Sequence, residues 1–88
     1  MARYFLHLHE CGTILDDPEG QECASLEEAT RVATINARDV MIGDMRTGRL
    51  CLGCYISITD GSAVELGRVY FRDAVVVTGW GDLGAEPA

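Results

Sequence analysis

Lysine is absent from this 88-residue chain, and its seven basic residues are all arginines. Fourteen acidic residues outnumber them, for a formal net charge of −7. An acidic domain repels phosphate backbones and anionic membrane surfaces, so no nucleic acid and no membrane is expected as a partner unless the arginines cluster. They are scattered from Arg3 to Arg72 and read as part of a solvated, mixed-charge surface. Long apolar runs are missing too: nothing approaches the roughly 20 residues that span a bilayer. The start, Met1-Ala2-Arg3-Tyr4-Phe5-Leu6-His7, lacks the apolar stretch and small-residue cleavage site of a signal peptide. The expected setting is cytoplasmic, where reducing conditions keep the four cysteines as thiols or metal ligands rather than disulfides.

A chain of this length allows one domain. It buries roughly 60–65% of the surface its unfolded form exposes, so one modest core supplies its stability. That leaves room for a shallow site and little for a deep enclosed pocket.

Residues 3–9 alternate, with Tyr4, Leu6 and Leu8 on one face and Phe5, His7 and His9 on the other. That is the period of a strand buried on its Tyr-Leu-Leu side. Cys11-Gly12 supplies a turn, Thr13-Ile14-Leu15 begins the return, and Asp16-Asp17-Pro18-Glu19-Gly20 breaks the pattern. A strand remnant follows at Gln21 to Cys23. Ser25-Leu26-Glu27-Glu28 is a capping box, and it opens a helix expected to run to about Thr47. Leu26, Ala29, Ala33, Ala37 and Val40 form its apolar stripe, with Val32 and Met41 flanking it. Gly48 suits the residue just past the helix end.

A second alternation places Cys54, Ile56 and Ile58 inward and Tyr55, Ser57 and Thr59 outward. Asp60-Gly61 reads as a hairpin turn. The last strand falls within Ala63 to Val77, where Gly67 suits a bulge that switches faces. The order β-β-α-β-β implies an α+β fold, a two-layer sandwich of antiparallel sheet with one long helix on one face. The domain is expected to span residues 1–77, with 78–88 a disordered tail.

Several stretches together resemble one known family: Arg3-Tyr4-Phe5-Leu6-His7-Leu8; Asp17-Pro18-Glu19-Gly20-Gln21-Glu22 ahead of Leu26-Glu27-Glu28-Ala29; Gly48-Arg49-Leu50; and Phe71-Arg72-Asp73-Ala74-Val75. The family is a set of very small proteins, common in alphaproteobacteria and known only as a domain of unknown function. The similarity covers about residues 3–76. It implies a bacterial cytoplasmic setting and supplies no activity. Cys11, Cys23, Cys51 and Cys54 fall where such proteins carry polar or aliphatic residues, and Val75-Val76-Val77-Thr78-Gly79-Trp80 runs past the usual end. A cysteine-based function would then belong to this protein and not to the family.

Cys51-Leu52-Gly53-Cys54 is a C-x-x-C pair. It follows a helix C-terminus, whose partial negative charge raises a thiol pKa, so thioredoxin-like chemistry is not expected. The pair is also a sound half-site for zinc, which needs four ligands within reach. Cys23 precedes the helix and Cys51 follows it; about 20 residues of helix separate their ends by roughly 30 Å. Cys11, at the first turn, shares the pole of Cys51. Cys11, Cys51, Cys54 and His9 are therefore the candidate zinc ligands, and no other cofactor is called for. The bland reading makes Cys54 a buried apolar residue and the other thiols incidental.

Phe5, His7 and Tyr55 on the outer sheet face, with Val75, Val76, Val77 and Trp80 late in the chain, form the candidate interaction surface. A one-helix sandwich leaves one sheet face uncovered, and apolar groups there suggest stacking between copies or pairing of the valine run as an added strand. The leading expectation is thus a non-catalytic module that forms a homodimer or binds a protein partner. Zinc binding is one alternative and a small enzyme centred on His7 the other. No nucleophile can be placed beside His7, and the acidic turn at Asp16, Asp17 and Glu19 is solvated, so catalysis is the least favoured.

Overall fold

Two consecutive residues with positive φ, Cys11 at 52° and Gly12 at 81°, turn the chain between β1 (Ala2–Glu10) and β2 (Thr13–Leu15). Such two-residue loops match the twist of paired strands, and Glu10 stands opposite Thr13. The structure, a computed structural model, describes residues 1–79. Of the expected tail, Thr78 and Gly79 are described, outside helix and strand; residues 80–88, with Trp80, lie outside the described residues.

β3 (Gln21–Cys23) pairs with the start of β1, setting Cys23 opposite Ala2. Between β2 and β3 the backbone leaves the ladder, and the Asp17 carboxylate replaces it. Its Oδ2 accepts the Leu6 N–H at 3.1 Å and its Oδ1 the Gly20 N–H at 3.0 Å. Gly20, at φ 69°, lies so close to β1 that a Cβ there would stand 2.8 Å from the Tyr4 carbonyl oxygen.

Ser25 caps α1 (Leu26–Arg46) as expected, its hydroxyl accepting the Glu28 N–H at 3.2 Å. The reciprocal bond is displaced by one residue: the Glu28 carboxylate accepts from Ala24. At the other end Gly48, at φ 86°, donates to the Met45 carbonyl, and Arg49 donates to Asp44. These two bonds make a Schellman motif, which satisfies carbonyls the helix leaves open. The buried stripe is Ala29, Ala33, Ala37 and Met41. Its four-residue spacing makes Met41 central rather than flanking, and leaves Leu26 37% exposed. Three alanines in a row bring the helix close to the sheet, because no long side chain holds the two layers apart.

β4 (Tyr55–Thr59) and β5 (Glu65–Tyr70) complete an antiparallel sheet in the order β2-β1-β4-β5, with β3 also on β1. Ile56, Ile58 and Val69 are buried beneath α1, joined by Tyr4, Leu6 and Leu8. The architecture is α+β, one long helix against an antiparallel sheet of five strands. The β4–β5 connection is wider than a two-residue turn: the Asp60 Oδ1 accepts the N–H groups of Ser62 and Val64. The change of face near Gly67 is present. Ile58 faces Gly67 while Thr59 faces Glu65, so Leu66 is the extra residue of a bulge.

The end of the chain departs from the alternating pattern. β5 stops at Tyr70, and α2 (Phe71–Ala74) follows. Phe71 is fully buried, and its N–H donates to the Cys54 carbonyl at 2.9 Å. Burying a phenylalanine contributes about 1.5–3 kcal/mol, and Phe71 keeps the inward side set by Val69 while the chain turns into α2. The Ala74 carbonyl is held from the helix by Arg38 Nε at 2.7 Å, so Arg38 is not a purely outward residue. Val75 to Val77 form no strand, and Val76 is 88% exposed. The valine run is therefore not a sheet edge.

Candidate metal centre

β1 has nine residues and α1 has 21. At about 3.3 Å per strand residue and 1.5 Å per helix residue, both are roughly 30 Å long. Both set out from the neighbourhood of Cys23, since β3 ends beside Ala2 and Ser25 caps the helix. They therefore finish together. The hairpin turn brings Cys11 to that pole, and the Schellman motif directs the chain after Gly48 back to it, carrying Cys51 and Cys54.

The sulfur atoms of Cys11, Cys51 and Cys54 lie within 4.8 Å of one another. Cys11 is exposed, Cys51 half-buried and Cys54 buried. The Cys54 thiol donates to Cys51 Sγ at 2.7 Å, and Arg49 Nη2 approaches Cys11 Sγ at 3.8 Å. Zinc–sulfur bonds of about 2.3 Å in a tetrahedron separate the sulfurs by about 3.8 Å, so this trio can take a metal ion with small adjustments. Cys23 is buried in the core at the other end and takes no part.

The loop itself tunes the thiols. The Cys51 thiol is held below its ordinary value by the hydrogen bond from Cys54, with burial opposing, and by the backbone N–H groups of Gly53 and Cys54 and by Cys11. Burial first, and then the bond to Cys51, push the Cys54 thiol up to about 12. The helix end was expected to raise a thiol here. For Cys51 the hydrogen bond from the Cys54 thiol, with the N–H groups of the turn adding to it, lowers the thiol instead.

A cavity of about 490 Å³ opens beside the trio, lined by Cys11 and Cys51 together with Glu10, Asp44, Arg49 and Leu8 among others. The Glu10 carboxyl is held above its ordinary value by a hydrogen bond with Asp44 and by burial, with Arg49 opposing. These three residues were not singled out from the sequence. Their positions one or two residues from Cys11 and Cys51, or one helical turn from the α1 terminus, were the available signal.

His9 does not join the cluster. Strand alternation places it on the outer sheet face, where its Nε2 meets Ser57 Oγ at 2.9 Å and its ring stacks on Tyr55 with centroids 4.3 Å apart. Among the described residues no fourth His, Cys, Asp or Glu completes the trio. His7 is also fully engaged. Its Nδ1 accepts the Asp17 N–H at 3.0 Å, which leaves the proton on Nε2 to be donated to Thr59 Oγ1 at 3.1 Å. Both nitrogens are therefore hydrogen-bonded to groups of the same sheet and loop.

The remaining outer-face residues pack on each other. Phe5 stacks beside His7, Tyr55 contacts Tyr70, and Arg68 lies 4.4 Å above the Tyr55 ring. Ser57 is 3% exposed beneath this layer, which removes it as an accessible nucleophile. No helix is long and apolar enough to cross a membrane among the described residues.

No curated protein and no solved structure shows a significant match to the chain. A family model, described as a domain of unknown function, DUF6894, matches residues 3–72. That span runs from the first strand to the second residue of α2 and includes the whole cysteine pole, so the chain belongs to the DUF6894 family.

Proposed function

We propose that the domain binds zinc through the thiolates of Cys11, Cys51 and Cys54, with a fourth position left to a water or an exogenous ligand. The observation that carries this reading is the convergence of three sulfurs from two separate chain segments within 4.8 Å. Thiolates are the soft donors that zinc takes, and sites with three protein ligands keep one position open. Three thiolates around a divalent ion leave one net negative charge, which Arg49 at 3.8 Å from Cys11 offsets.

Metal analysis of protein purified without chelator tests this, with about one zinc per chain expected. Cobalt loading should give intense sulfur-to-metal charge-transfer absorption, weakened in Cys11→Ser, Cys51→Ser and Cys54→Ser and retained in Cys23→Ser. Absence of stoichiometric metal together with no cobalt spectrum would end the reading.

A second reading, self-association as a non-catalytic module, is supported by the uncovered outer face around Phe5, His7 and Tyr55 and by Val76 and Val77, exposed at 88% and 48%. Light scattering at high concentration decides it: a strict monomer removes its basis.

A further inference from the structure

We propose that Cys51 and Cys54 are a dithiol that a hydroperoxide closes to a disulfide, withdrawing two of the three metal ligands at once. The geometry distinguishes this pair from the other two pairings in the trio. Cys51 Sγ and Cys54 Sγ stand 2.7 Å apart, inside ordinary van der Waals contact, and only two residues of one turn, Leu52 and Gly53, join them. A methyl group placed on Gly53, between them, would meet nothing within 4 Å, so that side of the turn is open. Cys11 belongs to a different segment, the β1–β2 turn, and its sulfur lies within 4.8 Å of the pair without sharing their turn.

Access assigns the roles. Cys51 is half-buried and lines the 490 Å³ cavity, so a small hydroperoxide reaches it there. Cys54 is 4% exposed and is absent from the cavity lining, so it meets the oxidant only through Cys51. In the first step the Cys51 thiolate attacks the outer peroxide oxygen. An S–O bond forms, the O–O bond breaks, and the alkoxide or hydroxide leaves and takes a proton. Cys51 is then a sulfenic acid, oxidised by two electrons, and the peroxide is reduced to alcohol or water. In the second step Cys54 sulfur attacks Cys51 sulfur. The S–S bond forms, the S–O bond breaks, and hydroxide departs with the Cys54 proton as water.

Loss of metal rests on the zinc reading above; closure of the disulfide does not. The test is therefore run on zinc-loaded and metal-free reduced protein treated with hydrogen peroxide. Free thiols are alkylated, peptides are mapped by mass, and released zinc is followed with a coloured chelator. The expected product links Cys51 to Cys54 and leaves Cys11 and Cys23 alkylated, with zinc appearing in step with the disulfide. Cys54→Ser should stop at a Cys51 sulfenic acid trapped by a cyclic 1,3-diketone, while Cys11→Ser should still close. A principal disulfide containing Cys11, or Cys51 and Cys54 both free when most of the peroxide is consumed, overturns the proposal. Protein that never holds zinc sinks the metal reading alone, because the metal-free arm still reports closure.

Discussion

Asp17 stands in for a strand residue opposite Leu6, its Oδ2 accepting the Leu6 N–H at 3.1 Å where the β2–β3 edge has left the ladder. The same carboxylate takes the Gly20 N–H, and the Asp17 N–H in turn reaches His7 Nδ1. One residue thus closes the gap between β2 and β3 with its carboxylate and orients the histidine on the outer face with its backbone N–H. Hydrogen bonds to a charged group contribute about 1.5–3 kcal/mol. Asp17→Ala should lower unfolding free energy by about that amount in a denaturant titration, and Asp17→Asn, which keeps one acceptor, by less. A loss near zero for the alanine variant would mean that water fills the gap at no cost.

Gly20 is the close-approach residue of the same loop. A methyl there would meet the Tyr4 carbonyl at 2.8 Å and the Phe5 ring at 2.9 Å, on a backbone at φ 69°. The carbonyl belongs to β1 and cannot step aside as a flexible side chain can. Gly20→Ala should therefore cost about 2 kcal/mol or more, combining strain at positive φ with displacement of the strand. Gly12→Ala, at φ 81° but in open space, isolates the conformational part and should cost about 1 kcal/mol. Thermal unfolding of the two variants side by side checks the difference.

How much of this could be read from residue order depends on whether the determinant is local. The capped helix, its alanine stripe, the Cys11-Gly12 turn and the alternation of β1 and β4 depend on neighbours in the chain, and each is where the pattern put it. Convergence of Cys11 with Cys51 and Cys54 was also legible, because equal lengths of strand and helix end at one pole. Tertiary demands were not legible. Phe71 keeps the inward parity of Val69, but the helical turn it opens has no signal in the alternation, and the position of Asp17 opposite Leu6 depends on strand pairing that a turn sequence does not show. His9 as a ligand runs against its own parity, since alternation puts odd residues of β1 on the outer face. The lowering of Cys51 depends first on the Cys54 thiol and then on N–H directions within a four-residue turn, which helix-dipole reasoning does not supply.

The two thiols of the C-x-x-C pair give the metal-free, reduced domain a two-signed pH response. For Cys51, lowered by its hydrogen bonds, the native state releases its proton before the unfolded chain does. The unfolded state then binds more protons, so stability rises with pH up to about 9, the ordinary value. For Cys54, raised to about 12 by burial, the native state holds its proton longer. Between about 9 and about 12 the unfolded state binds fewer protons and stability falls. Denaturant midpoints across this range should pass through a maximum near pH 9, and iodoacetamide at pH 8 should label Cys51 well ahead of Cys54. Equal labelling rates in the folded protein would contradict the assignment of roles to the two sulfurs.

Glu10 offers a stabilising substitution beside the same pole. Its carboxyl is raised by the hydrogen bond with Asp44, by burial and by the Asp44 charge, against the pull of Arg49. A carboxyl raised on folding holds its proton longer in the native state, so stability is lost as pH climbs past the unfolded value near 4.5. At pH 7, above the unfolded value, the metal-free domain carries that cost. Glu10→Gln keeps a donor for Asp44 and removes the charge, so it should stabilise the metal-free domain at pH 7. The site is partly open to solvent, which screens the repulsion, and the gain should be roughly 0.5 kcal/mol rather than several. The gain should vanish below about pH 4, where the native glutamic acid is neutral as well. Denaturant unfolding at pH 7 and pH 4 separates this from a packing effect, because a gain that persists at pH 4 cannot come from the carboxylate charge.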